Sequence, residues 1–149
     1  MCDIYDTTKE TFYENTTWGS LKNGDHIIIN NDPCKIVELT SVKTGKHGAA
    51  KVILVAIDIF KGKKYEKSNA AGIHIEKTDI ERHTYFLTDI TDDNYLSMLD
   101  DQNNQIEYFR LPENDIGEKI RLLFDQGKNV KVMTLHAKNK EMITNCQVE

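Results

Sequence analysis

The chain has 149 residues, of which 39% are hydrophobic and 29% are charged, with a formal net charge of −5. This composition is typical of a globular protein with one large domain or two small ones, and it excludes a disordered chain. No apolar run is long enough for a membrane span, and the N-terminus lacks the basic and apolar regions of a secretory signal. Three widely spaced cysteines fit a reducing environment, so we expect a cytoplasmic protein.

The charge is distributed unevenly along the chain. Residues 1–82 carry 12 Lys and Arg against 12 Asp and Glu, whereas residues 83–149 carry 7 against 12. Within the first part, residues 43–67 hold seven lysines and only two acidic residues. Such a cationic patch predicts an electrostatic contact with phosphates, while a solvated lysine-rich surface explains the same charge run equally well.

The first segment is polar and rich in threonine. Residues 1–20 show no clear period, so we expect a flexible N-terminal arm. Trp18 and Phe12 are the large apolar residues in it that we expect to pack against the first domain.

Residues 21–82 carry the signals of a small β-barrel. Asn23-Gly24 marks a turn before the first strand, and Asn30–Pro33 marks a second turn. The predicted strands are His26–Ile29, Cys34–Leu39 and Val52–Phe60, with weaker signals as far as Ile75. Short strands separated by turn residues, without a helical period, are typical of a small barrel.

A second domain is predicted over residues 83–149. Its strands are Tyr85–Ile90, Tyr95–Leu99, Ile106–Leu111, Val130–Ala137 and Met142–Val148. Between the third and fourth strands, the apolar residues Ile116, Ile120, Leu123 and Phe124 have the spacing of one helix face. Asp115 with Glu118 resembles a capping box, and Gly127 stands where a glycine ends a helix. Three strands, a helix and two strands are the order of an OB-fold.

The stretch Thr40–Lys51 separates two apolar, β-branched runs and contains three lysines, one histidine and no acidic residue. It predicts a long cationic hairpin loop. Gly45 and Gly48 bracket Lys46 and His47, and they permit tightly bent conformations that other residues resist. We therefore expect the loop to hold Lys46 out into solvent.

Enzymatic chemistry is not indicated at this loop. An exposed lysine stays protonated and is a poor nucleophile, and a strand comes after Gly48 rather than a helix that binds phosphate. A Lys46–His47 dyad would be the enzymatic alternative, but an exposed tip offers no concave pocket. No helical spacing joins two of the histidines, so we expect no metal site; they are His26, His47, His74, His83 and His136.

Aromatic residues of the second domain allow two interpretations. They form either a core or a surface on which bases stack, and alternating aromatics in strands are more often core. The residues concerned are Tyr85, Phe86, Tyr95, Tyr108 and Phe109.

The loop Lys43-Thr44-Gly45-Lys46-His47-Gly48, preceded by Pro33–Glu38, resembles the hypusine loop of the eukaryotic translation initiation factor 5A family. Further similar motifs are Asp58-Ile59-Phe60, Gly62–Glu66, Tyr95-Leu96-Ser97 and Arg110–Glu113. The resemblance extends from about Leu21 to the C-terminus. Val42 and Ala49 depart from it, because the family usually has serine and a second histidine there.

The resemblance implies an N-terminal SH3-like barrel and a C-terminal OB-fold. It implies a non-enzymatic factor of protein biosynthesis, with roles in initiation and elongation, that binds the large ribosomal subunit near the exit site, beside the peptidyl tRNA. There it would promote peptide-bond formation at stalled sites such as consecutive prolines, and assist termination.

The resemblance also implies that the lysine at position 46 becomes hypusine. Deoxyhypusine synthase would transfer an aminobutyl group from spermidine, using NAD, and deoxyhypusine hydroxylase would add a hydroxyl; no cofactor stays bound. The residues presenting Lys46 would be Lys43, Thr44, Gly45, His47 and Gly48. Candidate contacts to RNA or the ribosome are Lys43, Lys51, Lys61, Lys63 and Lys64.

A second hypothesis requires no modification. A two-barrel RNA-binding protein would use Lys43, Lys46 and Lys51 as plain cations, and its binding would weaken uniformly with salt.

Overall fold

A computed structural model describes residues 4–7, 9–43 and 50–149 and is built mainly of β-strands. In chain order the elements are β1 (Ile4–Asp6), β2 (Tyr13–Thr17), a 3-10 turn (Trp18–Ser20), β3 (His26–Ile29), β4 (Asp32–Lys43), β5 (Ala50–Asp58), β6 (Lys64–Ala70), β7 (His74–Thr78), β8 (Ile80–Ile90), β9 (Leu96–Leu99), β10 (Gln105–Ile106), α1 (Asp115–Asp125), β11 (Val130–Ala137) and β12 (Lys140–Val148). The predicted β class with one short helix is confirmed. No helix in the described residues has the length and apolar character to cross a bilayer.

The strands form two six-stranded sheets in two compact units. The N-terminal unit, Glu10–Ile80, has the strand order β2-β7-β3-β4-β5-β6. The C-terminal unit, Glu81–Glu149 with the described residues of Met1–Lys9, has the order β1-β12-β11-β8-β9-β10. The division falls between residues 80 and 81, two residues before the boundary expected from the sequence.

The N-terminal segment differs from the flexible arm that its composition predicted. β1 pairs with β12 and β2 pairs with β7, so the described residues of the segment belong to both sheets. Backbone hydrogen bonds to these strands hold the segment although it is polar. Trp18 is buried as expected, whereas Phe12 is 67% exposed.

A β-bulge at Val37 sets the register of the long β4–β5 hairpin. Ile36 lies opposite Ala56, but Glu38 lies opposite Val55, so Val37 is the extra residue. Without the bulge, Glu38 would share the core face with the buried Leu54. With it, Leu39 takes that place and packs against the core. One inserted residue thus keeps the apolar pattern of β4 in phase with that of β5.

The C-terminal unit has the predicted order of three strands, a helix and two strands. Asn114, rather than Asp115, caps α1, since its side chain accepts hydrogen bonds from the amides of Ile116 and Gly117. Gly127 ends the helix as predicted: it has φ +74°, and its amide and that of Lys128 bond back to the last turn.

The third strand of this unit is shorter than predicted. β10 covers only Gln105–Ile106, and the segment after it is joined to the sheet by one bridge between Tyr95 and Arg110. Phe109 turns fully into the core there.

The core interpretation of the aromatic residues of this unit is confirmed for two of them. Tyr85 and Phe109 are core, whereas Tyr95 and Tyr108 are about two-fifths exposed. Tyr95 lies against the Arg110 guanidinium at 5.2 Å.

Candidate functional site: the β4–β5 hairpin

The predicted cationic loop is the connection of the β4–β5 hairpin. The ladder runs from Cys34 opposite Asp58 to Lys43 opposite Ala50. The six connecting residues, which include Thr44, Gly45, Lys46, His47 and Gly48, lie outside the described residues. The structure therefore establishes where the loop leaves and rejoins the sheet.

Lys43 and Lys51 stand on either side of this connection and project from opposite faces of the hairpin. Lys43 pairs with Ala50, on the face that carries the buried Val52 further along, and Lys51 pairs with Val42 on the other face. Paired residues share a face and neighbouring residues alternate. Both lysines are exposed, so charge is offered on both sides of the loop base.

The base of the loop is fastened to the 3-10 turn. The Ala71 amide donates to the Ala50 carbonyl at 2.8 Å, and the Gly19 amide donates to the Ala71 carbonyl at 3.0 Å. Trp18 is buried in the core beside this point, and its amide donates to the Ile73 carbonyl at 3.0 Å. The hairpin end is thus anchored by backbone bonds and by a core tryptophan rather than projecting freely.

Three of the predicted contact lysines lie at the other end of the hairpin. Lys51 is opposite Ala70 in the β5–β6 ladder, whereas Lys64 is opposite Ile57, six residues along β5 or about 20 Å away. Lys61 and Lys64 each pair with a carboxylate, at 3.5 and 3.3 Å, and the Lys63 ammonium lies over an aromatic ring. The described lysines of the charge run therefore do not form one patch: they are spread along the hairpin from Lys51 to Lys64, with Lys67 opposite Leu54 between them.

Asp58 organises this other end, a role that sequence reasoning missed. Its Oδ1 accepts hydrogen bonds from the amides of Phe60 and Lys61, at 2.7 and 3.0 Å. Its Oδ2 is the one buried side-chain oxygen without a partner in the described residues. Burial first, and then the charges of Asp58 and Asp32, raise the pKa of the Cys34 thiol to about 12. Cys34 is fully buried, in accordance with its predicted core role.

A second polar cluster lies in the C-terminal unit. The Glu141 carboxylate, 3% exposed, accepts hydrogen bonds from the hydroxyls of Tyr85, Tyr108 and Thr134 at 2.8, 2.8 and 2.5 Å. Burial and then the hydrogen bond to Glu141 and its charge raise the pKa of both tyrosines. The sequence gives no local signal for this cluster, because its members are 7 to 56 residues apart from Glu141. Each of the three hydroxyls donates to the Glu141 carboxylate, so the cluster joins separate segments of the unit.

Comparison with known proteins shows to which family this architecture belongs. A model of the translation initiation factor 5A-like N-terminal domain matches residues 12–72, and a model of eukaryotic elongation factor 5A, hypusine, DNA-binding OB fold, matches residues 79–147. The chain is 38% identical to eukaryotic translation initiation factor 5A of Spodoptera exigua over 149 residues, covering 96% of this chain and 93% of the relative.

Two further comparisons agree. The chain is 40% identical over 126 residues to eukaryotic translation initiation factor 5A-2 of Arabidopsis thaliana, covering 84% of this chain and 79% of the relative. The structure of a translation initiation factor eif-5a family protein from Naegleria fowleri superposes with a TM-score of 0.81 at 33% identity, covering 94% of this chain and 100% of that one.

An SH3-like unit with a long hairpin, followed by an OB-fold unit, defines a translation factor with a hypusine domain. The resemblance inferred from the loop motif is confirmed over both units. The chain belongs to the eukaryotic translation initiation factor 5A family. A factor of this family acts in translation and thus with the ribosome.

Proposed function

We propose that Lys46 of this chain carries hypusine, and that the β4–β5 hairpin presents it to the acceptor end of the peptidyl tRNA near the ribosomal exit site. The observation that carries this proposal is the end of the hairpin ladder at Lys43 and Ala50, which directly brackets the Gly45–Gly48 segment. The anchoring of Ala50 through Ala71 supports it, because a group that must reach into a narrow site needs a fixed base.

The modification supplies reach and additional donors. A bare lysine is a single point charge on a four-carbon stem. Hypusine is longer and adds a second amine and a hydroxyl, which contact phosphate or ribose oxygens. Holding the acceptor end in a reactive orientation lowers the entropic part of the barrier to peptide-bond formation, at consecutive prolines and in termination. The ribosome performs the reaction, and this chain assists it without being an enzyme.

Lys43 and Lys51 have a supporting role in this proposal. Because they project from opposite faces, they neutralise phosphates on two sides of the loop rather than grip one phosphate together. Lys61, Lys63 and Lys64, at the far end of β5, would contact a separate part of the ribosome.

The modifying partners belong to the same proposal. Deoxyhypusine synthase would transfer an aminobutyl group from spermidine to the Lys46 nitrogen, using NAD, and deoxyhypusine hydroxylase would add the hydroxyl, both in the cytoplasm. The chain itself would keep no bound cofactor.

The first test is the intact mass of the protein purified from its own cells, with peptide mapping across residues 43–51. We expect an aminobutyl addition at Lys46. A hydroxyl on the same residue would show that Ala49 does not prevent the second step. A bare Lys46 in native material would contradict the proposal.

The second test separates hypusine from plain charge. Lys46→Arg keeps the charge but cannot accept the aminobutyl group, so we expect loss of stimulation of polyproline synthesis in a reconstituted translation assay. Lys43→Arg is the matched control and should retain most of it. If Lys46→Arg were as active as Lys43→Arg, and both lost ribosome binding uniformly with salt, the plain RNA-binding function would be correct.

A further inference from the structure

Three side chains of types that ligate metals meet in the C-terminal unit. The Glu81 Oε2 atom lies 3.3 Å from His83 Nε2 and 3.4 Å from His136 Nδ1, and all three ligand atoms lie within 4.8 Å of one another. Glu81 and His83 are two residues apart on β8 and so share a face, and β11, which carries His136, is the neighbouring strand.

The hydrogen bonding of His136 defines its protonation pattern. Its side chain is 3% exposed, and its Nε2 lies 2.8 Å from the carbonyl oxygen of Lys9 and 3.3 Å from the Thr7 hydroxyl. A carbonyl only accepts, so Nε2 carries the proton. In the neutral ring Nδ1 then has a lone pair directed at the Glu81 carboxylate. Two lone pairs face each other across 3.4 Å unless a proton or a metal ion lies between them.

We propose that Glu81, His83 and His136 bind a divalent metal ion of the zinc class. A tetrahedral zinc ion with bonds of roughly 2.0–2.2 Å to nitrogen and oxygen places its ligand atoms about 3.4 Å apart, which matches the two distances from Glu81. The two histidine nitrogens, which lie within 4.8 Å of each other, must come to the same spacing, and the partly exposed His83 is the side chain that would move. Two imidazoles and one carboxylate are a ligand set that zinc uses with a water as the fourth ligand.

The surroundings of the cluster fit this assignment. The Lys9 carbonyl holds the outer nitrogen of His136, the type of second contact that orients a ligating histidine. Glu141 lies opposite His136 in the β11–β12 ladder and adds negative charge, while its own oxygens are occupied by three hydroxyl groups. It therefore favours a cation without competing as a ligand.

Access for the ion and for a fourth ligand is present. The side chains of Glu81 and His83 are 49% and 34% exposed. His83 and His136 also line a cavity of about 630 Å³ that Arg82 and Lys9 border. A water or a small anion entering from this side would complete the coordination. By holding His136 against Lys9, the ion would fasten the segment after β1 to β8 and β11.

The histidines lack the helical spacing of metal ligands, and for this reason the sequence predicted no metal site. Glu81-x-His83 is instead the spacing of ligands on one face of a strand. The third ligand comes from β11, 53 residues beyond His83, so only strand pairing reveals it.

The test is titration of the purified, untagged full chain with Zn²⁺, followed by competition with a chromophoric chelator. We expect one zinc ion per chain at this site. The zinc affinity should be at least about 10- to 100-fold lower in Glu81→Gln and in His83→Gln, because loss of a group that only hydrogen-bonds to a metal ligand already has an effect of this size. These two side chains are partly exposed, so both variants should fold. His74→Gln, at the exposed first position of β7 in the N-terminal unit, and His47→Gln, in the loop, are the matched controls and should bind like the wild type.

A spectroscopic measurement distinguishes a bound metal ion from a proton shared between Glu81 and His136. The wild type loaded with Co²⁺ should show the intense visible absorption of a tetrahedral site, and His83→Gln should lose it. Nitrogen NMR should show the His136 Nδ1 signal shifting on zinc addition while Nε2 keeps its proton. Zinc binding that is equal in wild type and both ligand variants, or a His136 ring that stays doubly protonated and unchanged by zinc, would overturn the proposal in favour of an ordinary His–Glu ion pair.

Discussion

Glu141 in the C-terminal unit and Asp58 in the N-terminal unit are both almost fully buried, at 3% and 2% exposure, yet their oxygens are satisfied differently. Glu141 accepts from three hydroxyls on other segments of its unit, so it joins β8, β11 and the segment after β10 to β12. Asp58 accepts from amides two and three residues further along its own turn, and its other oxygen has no partner among the described residues.

These two arrangements imply different roles in stability for the two carboxylates. Removing the centre of a network that joins several strands breaks all its hydrogen bonds at once, and it leaves the buried hydroxyls of Tyr85 and Thr134 without an acceptor. A local turn loses only its own two bonds. We therefore expect the C-terminal unit to depend on Glu141 for its tertiary structure, and the N-terminal unit to depend on Asp58 only for the β5–β6 turn.

The largest expected effect comes from removing Glu141. Glu141→Ala should lower the free energy of unfolding by about 3–4 kcal/mol, because three donors lose their acceptor and a cavity is left. Glu141→Gln should cost only about 1 kcal/mol, since hydroxyls rotate to accept from the amide. Urea unfolding followed by far-UV circular dichroism measures both. Glu107→Ala, at an exposed position, is the control and should stay within about 0.5 kcal/mol of the wild type. Equal losses of unfolding free energy in all three variants would show that the hydrogen bonds to Glu141 do not account for the effect.

Two glycines extend the comparison to backbone packing. A Cβ on Gly117 of α1 would lie 1.7 Å from the Pro112 carbonyl oxygen, whereas one on Gly19 would lie 3.1 Å from the Ala71 side chain. Gly117→Ala should therefore destabilise by about 2–3 kcal/mol, despite the better helix propensity of alanine. Gly19→Ala should cost only about 1 kcal/mol, because its contacts with the Ala71 Cβ and carbonyl oxygen, at 3.1 and 3.3 Å, are relieved by a shift of the neighbour far smaller than Gly117 requires. The same unfolding experiment compares them, and a stabilising Gly117→Ala would contradict the close approach of Pro112 to the helix.

Smaller effects are expected at Asp58. Asp58→Ala leaves the amides of Phe60 and Lys61 without their acceptor and should cost about 2 kcal/mol. Asp58→Asn keeps an acceptor oxygen and should cost about 1 kcal/mol or less. Trp18, the single tryptophan of the chain, is buried in this unit, so its fluorescence during urea unfolding reports the change. Similar losses in both variants would mean that the negative charge, rather than the acceptor, stabilises the turn.

The smallest effect depends on alkaline pH. The Cys34 pKa is raised from 9.0 to about 12, so the folded state retains the thiol proton that the unfolded chain releases above its own pKa. The stability that the protonated Cys34 thiol contributes is fully present below about pH 9 and is lost as the pH rises towards 12. The free energy of unfolding falls by at most about 1.4 kcal/mol per pH unit in this range. Stability measured through Trp18 should therefore fall less steeply above pH 9 in Cys34→Ala than in the wild type. Identical slopes would contradict the raised pKa.

Elements with local signals were predictable from the sequence. Alternating burial in β5, the apolar face of α1 and the glycine after that helix all depend on periodicity and on dihedral preferences within a few residues. The loop motif also predicted the family that the comparisons confirmed. It could not show how the lysines of residues 43–67 are arranged, because strand direction separates them.

Contacts between distant residues, by contrast, were decided by the tertiary structure alone. The pairing of β1 with β12, the hydroxyls around Glu141 and the cluster of Glu81, His83 and His136 join residues from different parts of the chain, with His136 and Lys9 lying 127 residues apart. Strand pairing and burial impose these contacts after the local elements have formed. A sequence pattern of a few residues cannot predict these contacts, because strand pairing determines which residues meet and their sequence neighbours do not.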